Sequence, residues 1–304
     1  MFDDGLKKSI SERFDGALFD EPMSAHTTFR VGGACDCYIS ADKDNISDIL
    51  DFCKNNGLNY TVIGNGSNIL CADEGFRGVV INVGGRMNEI SSCGNTVFAD
   101  AGARLSAISS YAAKLGLGGL EFAAGIPGNL GGALYMNAGA YGGEMKNVVK
   151  TVTFSENGEV FTKEIDELDF GYRKTYFTGR DAVILSCSIE CMPKPESEIR
   201  SEMEDYAKRR RDKQPLDFPS AGSFFKRPEG NFAGKLIQDS NLRGLRVGGA
   251  QVSEKHAGFI INVGGATCKD ITNLAQTVID TVYDKFGVRL EPEVRTLGFE
   301  FGRK

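Results

Sequence analysis

The chain has no tryptophan, only two histidines (His26 and His256) and only eight prolines in 304 residues. Its eight cysteines, Cys35, Cys37, Cys53, Cys71, Cys93, Cys187, Cys191 and Cys268, include no Cys-x-x-Cys pair. Zinc needs thiolates or imidazoles clustered at short spacing, so no metal site is expected. Cations are not in excess: 35 Lys and Arg face 41 Asp and Glu, for a net charge of −6. Such a balance argues against nucleic acid as a partner. The one basic run, Lys208 to Lys213, follows a helix-like segment and reads as cations at the negative end of a helix, with a ligand-phosphate role as the other reading. No apolar run approaches the roughly 20 residues of a membrane span. The opening MFDDGLKKSISERFDG is charged and mixed, without the apolar core of a signal peptide. A cytoplasmic location is therefore expected, with reduced cysteines acting as small buried apolar side chains.

What the chain does have is glycine, 38 residues or one in eight, against a usual share of roughly 7%. The glycines cluster between strand-like runs. TTFRVGGACDCYISA (27–41) reads as a strand, a Gly-Gly break and a second strand, and residues 45–55 carry Ile46, Ile49, Leu50 and Cys53 at helical spacing. YTVIG leads into the loop Gly64 to Asn68, GVVINVGG and TVFADAG read as strands, and residues 105–115 as a helix. Two β-rich runs joined at Asn157-Gly158 predict a hairpin, and AVILSCSIEC a further strand. Ile271, Leu274, Ala275, Val278, Ile279, Val282, Tyr283 and Phe286 form one apolar helical stripe over 270–286, and GVRLEPEVRTLGFEF reads as a closing strand. With a boundary at the prolines near 193–195, the expected organisation is an N-terminal segment 1–25, a domain 26–193 in two subdomains (about 26–84 and 85–193), and a second domain 196–304.

Glycine lets backbone N–H groups approach a ligand, and successive N–H groups make an anion-binding concavity. Two such loops, Gly64 to Asn68 and Gly125 to Gly143, suit a ligand carrying several phosphates; tight turns between packed strands are the alternative. The dinucleotide fingerprint G-x-G-x-x-G is absent, since Ile69 stands where the third glycine is required. GNFAGKL has the wrong spacing for a Walker A loop, and no G-x-S-x-G elbow exists.

Seven motifs carry a resemblance: TTFRVGG, IGNGSN, GIPGNLGGALYMNAGAYGGE, FGYRKTYF, PSAGSFFKRP, VSEKHAGFIIN and LEPEV, in this order from Thr27 to Val294. Together they resemble the UDP-N-acetylenolpyruvoylglucosamine reductase family, also called UDP-N-acetylmuramate dehydrogenases. The resemblance implies an α+β chain: a two-subdomain FAD-binding fold of the vanillyl-alcohol-oxidase (PCMH-type) class, followed by an α+β substrate-binding domain. It also implies reduction, with FAD as cofactor and NADPH as hydride donor, of the enolpyruvyl ether of a UDP-sugar to a lactyl ether for peptidoglycan synthesis. Its only partners would be small molecules, and the expected state is a monomer.

By the same resemblance Arg173 holds the substrate carboxylate, Glu293 supports the enolate and Ser223 protonates C2, although Ser223 by itself reads as a turn serine. A carboxyl placed beside the substrate carboxylate is expected to have a raised pKa. FAD falls to Arg30, Gly64, Asn65, Gly66, Ser67 and Asn68, and to Gly125, Ile126, Pro127, Gly128, Gly131, Gly132, Asn137, Gly139 and Tyr141. Tyr172, Lys226, Gln238 and Asn241 fall to the substrate, and His256 is a further substrate-side candidate that reads better as a structural histidine. The chain departs from the family at Arg227, where asparagine is common, and at Asn129, where Thr or Ser is common. It has no room for the tyrosine-bearing insertion of one branch and looks like the compact branch. Two other readings stay open here: another FAD oxidase of this fold, and a nucleotide-sugar-binding protein without catalysis. Rapid reoxidation by oxygen with an alcohol would mark the first, and a colourless purified protein the second.

Overall fold

The clearest helix is explained by its ends and its stripe. In the computed structural model, which describes residues 1–302, the seventh helix runs over Cys268–Phe286. Thr267 and Asp270 cap its start reciprocally, and Gly287 ends it in the left-handed conformation (φ 66°). Its buried face comprises Cys268, Ile271, Leu274, Ala275, Val278, Ile279 and Val282. The stripe stops there: Tyr283 and Phe286 are exposed.

The earlier helices are α1 (Asp4–Arg13), α2 (Ile46–Asn55), α3 (Leu105–Lys114), α4 (Leu130–Tyr135), α5 (Glu196–Lys213) and α6 (Ala233–Asp239), which makes Cys268–Phe286 α7. One sheet orders Leu18–Pro22, Ala34–Ser40, Phe76–Asn82 and Tyr60–Ile63. Its last three strands run parallel, as α2 crossing over between them permits, and its first is antiparallel. A second, antiparallel sheet orders Glu159–Glu164, Val149–Glu156, Ala182–Glu190, Thr96–Asp100 and Ile90–Cys93. The expected hairpin is its edge pair, with Asn157 (φ 55°) and Gly158 (φ 84°) in the turn. One core joins both sheets and takes in Ile10 and Phe14 of the N-terminal segment.

A second core lies under α6, α7 and the three-stranded sheet Arg246–Val247, Ala250–Val252, Ile260–Asn262. Phe29, Val31 and Leu70 from the first half are part of it. The halves are sewn further by the strand Arg295–Leu297, which pairs in parallel with Ile69–Cys71. Asp73 also accepts from the first amides of α7, Cys268 N (2.7 Å) and Lys269 N (3.0 Å). Helix α5 packs back on α3 and on the one-turn helix Glu121–Ala123.

Two expectations need correction. Residues 27–31 are not a strand: Arg30 is left-handed (φ 56°), and the segment turns so that Phe29 enters the second core. The closing strand is only Arg295–Leu297, because Leu290–Val294 meets the chain beside it at one isolated bridge, Phe225–Pro292. Seven of the eight cysteines are buried and all are free, with burial pushing the thiols of Cys37, Cys53, Cys71 and Cys268 up to about 12. No cluster of metal-ligating side chains occurs among the described residues, and no helix there is long and apolar enough to cross a membrane.

Candidate active site

The strand Tyr60–Ile63 ends in the loop Gly64 to Asn68, and this loop is short of acceptors. None of its five backbone N–H groups has a partner among the described residues. Five neighbouring unpaired amides are costly unless something outside the chain accepts from them. Gly66 (φ 61°) is held so tightly that a Cβ there would lie 2.0 Å from the His26 carbonyl oxygen. The second glycine segment packs on this loop: a Cβ on Gly64 would lie 2.5 Å from Asn129 Oδ1, and one on Gly128 (φ 149°) 3.0 Å from Ser67 Oγ. Asn129 is buried, donates from Nδ2 to the Gly102 carbonyl at 2.5 Å, and leaves Oδ1 without a donor.

The segment Gly125 to Gly143 is more than a string of turns, since α4 begins inside it. Several of its amides serve the protein itself. Ile126 N donates to Ala123 O (3.0 Å) and Gly131 N to Ala101 O (2.8 Å), and Gly139 pairs with Glu144 in a two-residue ribbon. Gly132 faces open space, and Pro127 links Ile126 to the Gly128 turn. Asn137 (φ 41°) is buried with its amide fully used: Nδ2 donates to Glu144 (2.9 Å) and Gly171 O (3.1 Å), and Oδ1 accepts from Lys146 N (3.0 Å). Tyr141 (φ 54°) lies parallel on Tyr206 of α5 at 4.4 Å, and Arg30 is exposed with no side-chain partner among the described residues.

Arg173 and Glu293 are 120 positions apart and meet. Arg173 Nε donates to Glu293 Oε1 at 2.6 Å and Nη1 to the Asn137 carbonyl at 3.2 Å, with the guanidinium 5.1 Å from the Tyr172 ring centroid. Arg173 holds a left-handed backbone (φ 53°), strain that a non-glycine residue keeps only where its surroundings demand it. Both side chains are largely buried, at 19% and 15% exposure. Burial raises the Glu293 pKa, and the attraction of Arg173 and Lys226 offsets only part of that rise. The cause therefore resides in the protein, before any substrate carboxylate arrives. Glu293 is tied to the glycine loop, since Asn68 Nδ2 donates to its carbonyl (3.2 Å) and Arg295 N donates to Asn68 O (2.9 Å).

Ser223 lies on the segment beside Glu293. Glu293 N donates to Phe224 O (2.8 Å), and Lys226 N to Glu291 O (2.9 Å). After left-handed Gly222 (φ 77°), the Ser223 side chain is exposed and its hydroxyl has no partner among the described residues. A turn serine that bonded the nearby backbone would have one. Lys226 Nζ pairs with Glu291 at 3.1 Å, and the Tyr172 hydroxyl accepts from Arg227 N at 3.0 Å. Gln238 and left-handed Asn241 (φ 59°) line an open depression with Asp239 and Arg243, where Arg243 Nη2 donates to Gln238 Oε1 at 2.6 Å. His256 Nδ1 accepts from Gly258 N (3.1 Å), and its ring packs edge-on to Phe259.

Sequence reasoning missed two residues here. Asn262 donates to Phe29 O (3.1 Å) and accepts from Gly264 N and Ala266 N, which ties the second core to the turn after Thr28. Arg210 is the inward-facing member of the basic run. The signal for it was present, because Ile199, Met203, Tyr206, Ala207 and Arg210 follow one helical stripe.

Comparison with known proteins agrees with this geometry. Residues 38–162 match a family model described as an FAD binding domain, and residues 214–297 one described as the C-terminal domain of UDP-N-acetylenolpyruvoylglucosamine reductase. The UDP-N-acetylenolpyruvoylglucosamine reductase of Agathobacter rectalis is 48% identical, covering 96% of this chain and 98% of its own. That of Clostridioides difficile is 48% identical over 92% of each chain. The crystal structure of the Thermus caldophilus enzyme superposes with a TM-score of 0.79 at 33% identity, covering 92% of this chain and 98% of that one. An alkyldihydroxyacetonephosphate synthase shares the fold alone, with a TM-score of 0.50 at 14% identity over 64% of this chain and 41% of its own. The chain belongs to the UDP-N-acetylenolpyruvoylglucosamine reductase family.

Proposed function

We propose that this protein reduces UDP-N-acetylglucosamine enolpyruvate to UDP-N-acetylmuramate in peptidoglycan precursor synthesis. The observation that carries the reading is the Arg173–Glu293 pair, assembled from residues 120 apart and bonded through Asn68 to a loop of five unpaired backbone amides. The residues present fit FAD. Gly64 to Asn68 offers consecutive donors to phosphate or flavin oxygens, and Gly125, Gly128 and Gly132 supply backbone surface without side chains. Arg30, exposed and without a side-chain partner among the described residues, and Tyr141, whose hydroxyl donates to Tyr206 O (3.1 Å), are the further candidates for FAD. Bound FAD, itself reduced by NADPH, supplies the hydride that enters the enolpyruvyl group at C3.

The chain's own residues deal with the charge and the proton. Addition at C3 pushes an electron pair onto C2 and the conjugated carboxylate. A guanidinium has five N–H donors; Arg173 uses one on Glu293 and one on Asn137, which leaves three for that carboxylate. Arg173 stays charged throughout, and its burial strengthens the attraction. Glu293, with its pKa raised by burial, donates its carboxyl proton as a hydrogen bond to the enolate oxygen. Ser223 Oγ gives its proton to C2, a transfer that needs a very basic carbon beside a hydroxyl not already bonded to the protein. Lys226, Tyr172, Gln238 and Asn241 are the candidates for holding the nucleotide-sugar, Gln238 and Asn241 from the depression they line with Asp239 and Arg243. The test is an anaerobic stopped-flow trace at the flavin band: NADPH should bleach it, and the enolpyruvyl substrate should restore it. Bleaching without return on substrate would discard this substrate.

A further inference from the structure

Helix α5 ends in the run Lys208, Arg209, Arg210, Arg211, Asp212, Lys213. Cations at a helix C-terminus ordinarily stand in water and complement the dipole. Lys208, Arg209, Arg211 and Lys213 do so, and Arg209 also pairs with Asp205 at 2.7 Å. Arg210 is turned the other way. It is half-buried against the glycine-rich segment, where a Cβ on Gly125 would lie 2.8 Å from its Cδ and 3.5 Å from its Nε. Desolvation lowers its pKa, and the titratable group nearest in effect is Tyr141. No carboxylate or carbonyl takes its guanidinium among the described residues. A guanidinium drawn from water without an anion is unfavourable, and the cost is recovered only when an anion arrives. The surroundings favour one: the Gly125 amide has no acceptor among the described residues, and Ser67 of the loop of unpaired amides lies against Gly128, three residues on.

We propose that Arg210 is a cofactor-binding residue that forks onto a diphosphate ester lying along the Gly125 turn, the diphosphate being that of FAD. The inference rests on the FAD reading and adds to it a side chain from outside the FAD-binding family match, which ends at residue 162. Planar guanidinium suits two phosphate oxygens at once. It would arrive on α5, the helix that packs back across the first lobe, so cofactor binding would also fasten that helix.

FAD and the UDP-sugar both carry a diphosphate, whereas riboflavin carries none, and this separates the cases. Full-length wild type and Arg210→Met, both freed of flavin, are titrated with FAD and with riboflavin by flavin fluorescence, and with UDP by calorimetry. The expected result is a rise in the FAD Kd of about 10- to 100-fold, with riboflavin and UDP affinities unchanged. Arg210→Lys, which keeps charge without the fork, should fall between. Equal loss of FAD and riboflavin would overturn the proposal, because a misshapen loop or a contact to the flavin ring weakens both. Loss of UDP with FAD intact would move the diphosphate to the substrate and overturn it as well. A wild type that takes up no flavin would sink the FAD reading itself.

Discussion

Gly66 and Gly57 offer a controlled test of the glycine loop. Both are left-handed, at φ 61° and 63°, so alanine meets the same backbone strain of about 1–2 kcal/mol at each. Their surroundings differ. A Cβ on Gly57 would meet nothing within 4 Å, whereas one on Gly66 would lie 2.0 Å from the His26 carbonyl oxygen and 3.0 Å from Thr27 Cα. Contacts under 3.0 Å are essentially unknown for real Cβ atoms, so the Gly66 backbone must retreat by at least 1 Å. Its obstacle is backbone, which cannot swing aside as a side chain would. Overpacking of this kind adds about 1–3 kcal/mol, and the displaced loop carries the five unpaired amides with it. Gly57→Ala should therefore lower Tm by roughly 3 °C and keep full flavin, while Gly66→Ala should lower it by roughly 10 °C and purify without flavin. The assay is a thermal melt together with the ratio of flavin to protein absorbance. Equal melting losses with stoichiometric flavin in both variants would refute the reasoning, since the clash would then have no consequence.

Three further outcomes are expected. Ser223→Ala should leave bleaching by NADPH intact and slow the return of colour on substrate by about 10²- to 10⁴-fold; loss of both half-reactions would remove Ser223 from proton transfer. Because burial raises the Glu293 pKa, its favourable contribution to stability is complete below the unfolded-state pKa and is lost as pH rises through the folded-state value. Glu293→Gln should abolish that loss with rising pH in urea melts taken across pH, and the substrate half-reaction should lose the matching limb; an unchanged profile would place the titration elsewhere. Asp73→Ala removes the acceptor for two α7 amides and should cost about 1–2 kcal/mol in urea unfolding, whereas no change would mean that water replaces the carboxylate fully.

Local periodicity was readable wherever one element buries one face. The stripe of α7, the spacing of α2 and the Asn157-Gly158 turn all follow from neighbours three, four or two positions apart, and these elements stand where expected. The same logic misread residues 27–31 and overextended the last strand. β-rich composition says that a segment is buried and extended, but not whether a strand lies beside it to pair with. Phe29 is buried because it leaves its own half for the second core, and Leu290–Val294 passes between elements that offer one bridge.

The amino-acid sequence by itself determined the glycine loops, the absence of a dinucleotide fingerprint and the order of motifs that marks the family, because these are properties of neighbouring positions. Arg173, Ser223 and Glu293 are singled out only by that ordered resemblance, since each alone reads as an ordinary turn or surface residue. Only the tertiary structure decided that Arg173 Nε meets Glu293, that burial outweighs that arginine in setting the carboxyl's pKa, and that the Ser223 hydroxyl is left unbonded. It also separated Arg210 from four neighbouring cations of the same kind. The physical reason is common to all four. Desolvation and hydrogen bonding depend on what the fold brings within a few ångströms, and at this site the partners lie 36 to 225 positions away along the chain.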